Sequence, residues 1–187
     1  MRGSLRVLVV AALLVTACAA DPSSSGRQSS HRARPSTMTA KEAPGSQDAC
    51  PLTIPPEPGF VPPKPYPPQA PDLYQSVWYG TAALWTMIDP QGEVWENLPQ
   101  HDGRFTQKTF WWSDAYPPRE EPSPPITVTG RRLDGSGSFE AGGPAGGGFR
   151  HDIGSFMLVG IEIPAGCWEL TATHGDAELS YVVLVEG

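Results

Sequence analysis

The sequence predicts an all-β protein whose folded part is an antiparallel β-sandwich of about seven strands. Three observations carry this. Seven short segments rich in β-branched and aromatic residues lie between residues 76 and 185, punctuated by Pro, Gly, Asp and other turn residues. No segment past residue 17 shows the 3.6-residue apolar spacing of an amphipathic helix. Ten prolines among residues 51–71 exclude helix and central strand immediately ahead of those segments. The length of the folded part allows one domain around one core. A small barrel is the alternative closure of the same strands.

The chain opens with Arg2 and Arg6, then nine uncharged apolar residues, Val7 to Val15. That run suits the hydrophobic region of a signal peptide over residues 1–17. It is too short for a membrane-spanning helix, which needs about 20 apolar residues. It ends in Val15-Thr16-Ala17-Cys18. This resembles the lipobox of bacterial lipoproteins: an aliphatic residue, two small residues and a cysteine. The resemblance implies cleavage before Cys18, transfer of diacylglycerol to its sulfur, and an anchor in the cell membrane or outer membrane, facing away from the cytoplasm. Two or more acyl chains hold a protein stably, at about 0.8 kcal/mol per buried CH₂.

Residues 18–47 read as a tether rich in Ser, Arg, Pro, Ala and Gly. Such a segment buries too little apolar surface to offset its ordering entropy and is expected to be disordered, spanning roughly 30 Å. Residues 48–75 follow as a proline-rich strap, with Pro55-Pro56-Glu57-Pro58 and Tyr66-Pro67-Pro68. Extended polyproline II is the conformation open to it. It serves either as a spacer or as a cover across the domain surface.

The sandwich is expected over residues 76–187. The first strand is Ser76–Ile88, and the turn signal Asp89-Pro90-Gln91-Gly92 returns the chain into Glu93–Leu98 as its partner. Phe105–Ser113, Ile126–Leu133 and Ser155–Ile163 are the next three strands. Pro164-Ala165-Gly166 breaks the chain before Cys167–Thr173, and His174-Gly175-Asp176 turns it into Glu178–Val185. Residues 134–148 hold seven glycines and read as a mobile loop. The number and spacing of the strands give a form that is immunoglobulin-like in outline. Thr127-Val128-Thr129-Gly130-Arg131-Arg132-Leu133-Asp134 and Gly166-Cys167-Trp168-Glu169-Leu170-Thr171 resemble segments of uncharacterised bacterial lipoprotein domains. That resemblance implies a fold and a compartment and carries no activity.

Charge and cysteines narrow the function classes. From residue 48 onward seven Lys and Arg face 18 Asp and Glu, a net charge of −11. An acidic domain is unsuited to nucleic acid. Export leaves Cys50 and Cys167 in an oxidising place, where one pairing is available to them. The bond would close a loop of 117 residues and fix the start of the strap to the last hairpin.

Catalytic motifs are wanting. Cys167 is followed by His174 without the Met of a blue-copper site, and Glu169 is the wrong charge beside a thiolate nucleophile. Gly135-Ser136-Gly137-Ser138-Phe139 does not match a nucleophile elbow, and the glycine-rich loop lacks the Gly-Lys-Ser/Thr ending of a phosphate cradle. His101-Asp102, His151-Asp152, His174 and Asp176 show no metal-ligand spacing. No cofactor or metal is therefore expected.

The aromatic residues are the functional hint. Strand side chains alternate faces, so Trp111 and Trp112 cannot both enter one core. One must point outward, either to lie under the proline strap or, with Tyr116 beside it, to stack on a glycan or a partner protein. The reading that follows is a lipid-anchored, non-catalytic envelope module that binds a protein or glycan or serves as structure. The alternative is an envelope enzyme with an acidic and histidine site near His151 and Asp152.

Overall fold

The computed structural model describes residues 50–71, 75–116, 123–141 and 145–187. The signal peptide, Cys18 and the tether lie outside the described residues. The described part is all-β, with two sheets packed face to face. Its strands are β1 (Val77–Gly80), β2 (Trp85–Ile88), β3 (Glu93–Trp95), β4 (Gln100–His101), β5 (Arg104–Trp112), β6 (Ile126–Arg132), β7 (Ser138–Glu140), β8 (Gly146–Arg150), β9 (Gly154–Ile163), β10 (Gly166–His174) and β11 (Ala177–Val185). The front sheet runs β1-β2-β5-β9-β8, with β4 also on β5, and the back sheet runs β3-β11-β10-β6-β7.

Three strand expectations need correction. The segment expected as one strand, Ser76–Ile88, is a hairpin of β1 and β2, paired from Val77↔Ile88 to Gly80↔Trp85. The bend forms because Gly80 adopts φ of 132° and the Thr81 N–H bonds the Leu84 carbonyl at 3.0 Å. The Asp89–Gly92 turn does close, by Gly92 N–H to the Asp89 carbonyl at 3.0 Å. It does not return β3 to β2. Instead β3 crosses to the back sheet and pairs parallel with β11, so the described residues include one parallel pair. That crossing places Trp95 in the core between the sheets. Finally, the glycine-rich stretch contains β7 and β8 rather than loop alone. Phe139 of β7 lies over Gly130, whose missing side chain makes room for the ring.

The core follows strand alternation. Phe105 and Trp111 of β5, Met157, Val159, Ile161 and Ile163 of β9, Trp168, Leu170 and Ala172 of β10, and Tyr181, Val183 and Val185 of β11 meet between the sheets. The alternate residues Phe110 and Trp112 of β5 and Trp85 and Met87 of β2 belong to a second cluster on the outer face of the front sheet, with Trp78 of β1.

The strap covers that second cluster. Cys50 and Cys167 form a disulfide, with Cα atoms 5.5 Å apart, packed on Leu184 and Leu52 on the outer face of the back sheet. Thr53 then serves the backbone of β11: its Oγ1 accepts the Val182 N–H at 2.8 Å, and its own N–H reaches the Val182 carbonyl at 3.4 Å. Farther on, Phe60, Tyr66 and Ala70 pack over Trp78, Trp85, Trp112 and Ile153. The Trp78 indole N–H donates to the Pro67 carbonyl at 3.1 Å, and the Tyr66 ring meets Trp85 edge-on at 4.9 Å. Proline-rich chain has few N–H groups to satisfy and exposes its carbonyls, so an indole donor is a fitting clasp.

Candidate functional site

The front sheet has a gap. The ladder between β2 and β5 consists of Trp85↔Trp112 and Thr86↔Trp111 and then stops. On the same side of β5, β4 pairs only with Phe105 and Arg104. Between these rungs that edge of β5, opposite β9, has no partner strand among the described residues, and two side chains serve its backbone. Thr86 Oγ1 donates to the Phe110 carbonyl at 2.7 Å, and Gln107 Oε1 accepts the Lys108 N–H at 2.9 Å.

A cleft of about 730 Å³ opens at this gap. Met87, Leu98, Phe110 and Ile153 supply apolar wall, and Glu93, Trp95 and Tyr181 reach it from the back sheet. Its size falls in the range of ordinary ligand sites, and its lining mixes that apolar wall with polar and charged side chains.

Glu93 is the central polar group. Its Oε1 accepts the Asp89 N–H at 2.9 Å and its Oε2 accepts the Trp95 indole N–H at 2.7 Å. Burial raises its pKa above the ordinary carboxylate value of 4.5, the two hydrogen bonds oppose this, and the charge of Asp89 adds to the rise. None of the ion pairs among the described residues includes Glu93. Tyr181 is 4% exposed, lines the same cleft, and its hydroxyl has no hydrogen-bond partner among the described residues. Burial, and next the Glu93 charge, holds that hydroxyl well above the usual phenol range. The cleft thus offers a partly desolvated acceptor and an unused hydroxyl beside aromatic rings.

The residues singled out from sequence fare differently. Trp111 and Trp112 are both fully buried and Tyr116 is 4% exposed, so none of the three offers a contact surface. This corrects the expectation that they could meet a glycan or partner. The faces do separate: Trp111 bonds Thr109 Oγ1 at 2.9 Å within the core cluster, and Trp112 bonds the Ile153 carbonyl at 3.0 Å in the cluster under the strap. Tyr116 packs edge-on against His174 at 6.3 Å.

The two His-Asp pairs are exposed, and the fold holds them apart. His101 and Asp102 lie 3.4 Å from each other at the β4–β5 turn, while His151 and Asp152 sit at the β8–β9 turn. Because β5 pairs with β9 from Phe105↔Ile163 to Trp111↔Met157, these turns fall at opposite ends of β9. Ten residues of strand separate them by roughly 30 Å. Asp152 is engaged by Arg150 at 2.7 Å, and His151 stacks edge-on against Phe149 at 5.4 Å. No group of three or more His, Cys, Asp or Glu that could hold a metal occurs among the described residues.

One signal for the cleft does stand in the sequence. Glu93 and Trp95 are two residues apart in a strand and therefore share a face, so burying Trp95 draws the carboxylate inward with it. The gap between β2 and β5 left no such mark, because it depends on β3 leaving the front sheet. No family model matches the chain, no curated protein matches it, and no solved structure matches it.

Proposed function

We propose that the chain is a lipid-anchored lipoprotein of the cell envelope, held in the membrane through Cys18, whose β-sandwich is a non-catalytic binding module. The observation that carries the binding half is the cleft in the front sheet, where Glu93 and Tyr181 present polar atoms beside the apolar wall of Met87, Leu98, Phe110 and Ile153. The aromatic residues that first pointed to binding are closed under the strap or within the core, so the contact moves from Trp111 and Trp112 to the cleft. The Cys50–Cys167 disulfide supports an exported location, since such bonds persist in oxidising compartments. The acidic domain makes anionic lipid and nucleic acid poor partners for its surface.

Native mass spectrometry of the chain extracted from membranes of its host in mild detergent tests this reading. It should show diacylglycerol on Cys18 and a bound adduct that is lost in Gln107→Trp, which fills the cleft. Recovery in the soluble fraction, or an adduct indifferent to Gln107→Trp, overturns it.

A further inference from the structure

We propose that the cleft between β2 and β5 takes an organic ammonium ion with an apolar body, its nitrogen against the Glu93 carboxylate and the Tyr181 hydroxyl. The inference rests on reading this cleft as the binding site and adds the ligand's charge and shape. Three observations carry it. Glu93 is partly drawn out of water with no cation paired to it among the described residues, receiving instead two neutral donors, the Asp89 N–H and the Trp95 indole. A carboxylate even partly withdrawn from water gains from a charged partner, and a charged donor is worth more to it than a neutral one. Tyr181, itself almost wholly buried, lines the same space with a hydroxyl that no described residue engages. An ammonium has donors for both oxygens, and the rings of Trp95 and Tyr181 favour a cation beside them.

The apolar body has its place as well. Met87, Leu98, Phe110 and Ile153 form the wall from the gap to the outer face of the front sheet. The charged groups lining the cleft besides Glu93 are Asp89, Glu96, Lys108 and Arg150. Arg150 is tied to Asp152 and the Lys108 side chain stands exposed at the rim, so neither neutralises Glu93. The net charge of −11 over residues 48–187 draws cations toward the domain.

Titration of the full chain with benzylamine, benzyl alcohol and benzoate, followed by calorimetry and by indole N–H signals in NMR, tests the inference. Benzylamine should bind about tenfold more tightly than the two isosteres, the increment of one charge-assisted hydrogen bond. Its affinity should rise with pH as Glu93 ionises through its raised pKa. Glu93→Gln should erase the preference with the strand signal in circular dichroism retained. Tyr181→Phe, which keeps the ring, should weaken benzylamine several-fold and serves if the Glu93→Gln variant does not fold. Benzyl alcohol binding as well as benzylamine at the Trp95 indole overturns the ammonium inference and leaves the cleft a binding site. An absence of benzylamine binding at millimolar concentration, or a preference unchanged in both variants, also overturns it. The binding-module reading stands or falls separately, on the adduct test given above.

Discussion

Glu93 shows how one residue registers the whole fold. In β3 it lies two positions from Trp95, whose indole holds one of its oxygens while the Asp89 N–H holds the other. Burial outweighs these bonds and raises the carboxyl pKa, so the folded chain binds a proton there more readily than the unfolded chain does. The favourable contribution is therefore complete below the unfolded value of 4.5 and is lost as pH rises through the folded pKa. Thermal melts of wild type should fall across that window as pH increases, and those of Glu93→Gln should fall less. A steeper fall in the variant would rule out Glu93 as the source. Trp78 acts at the same scale, clasping the strap through the Pro67 carbonyl. Trp78→Phe keeps most of the apolar area and removes the donor, at a cost of about 1 kcal/mol in chemical denaturation.

At the scale of elements, the β1–β2 hairpin depends on one backbone conformation. Gly80 has φ of 132°, and a Cβ there would stand 2.5 Å from the Leu84 carbonyl oxygen. Neither the dihedral nor the backbone contact accommodates a side chain. Gly80→Ala should cost about 3 kcal/mol or more, read as a lowered denaturation midpoint. The strap is the other element with a specific consequence. Deleting residues 51–71 removes the cover from Trp78, Trp85 and Trp112, while Trp111 stays between the sheets. Acrylamide should quench the truncated chain more strongly than the intact one, yet leave a protected fraction. Equal quenching of the two chains would mean the strap does not shield these rings.

For the whole molecule, the disulfide joins the first described residue of the strap to the hairpin of β10 and β11, across 117 residues of chain. A loop of that length restricts the unfolded chain by roughly 4–5 kcal/mol in the chain-entropy account. Replacing both Cys50 and Cys167 by Ala should lower the unfolding free energy by about that much and loosen Leu52 and Thr53 from β11. Hydrogen exchange at Val182, whose N–H bonds Thr53, reports the loosening directly. Cys18→Ser acts at this scale too. It should release the chain from the membrane fraction without changing the melting temperature of the folded part.

By itself the sequence determined the local character of this protein: strands between turn residues, proline-rich chain unfit for either regular structure, and opposite faces for Trp111 and Trp112. These follow from backbone geometry within a few residues. Which neighbours each strand takes was decided only in three dimensions. The Asp89–Gly92 turn has the chemistry of a hairpin, yet β3 leaves for the back sheet because Trp95 is buried there and Val183 to Val185 accept a parallel partner. The cleft exists because of that departure. Gly130 and Phe139 make the same point for β7, whose pairing rests on a ring fitted over a glycine in the neighbouring strand. Periodicity reports which side of a strand is wet or dry, whereas a gap in a sheet and a carboxylate without a cation depend on long-range pairing that no short window of residues contains.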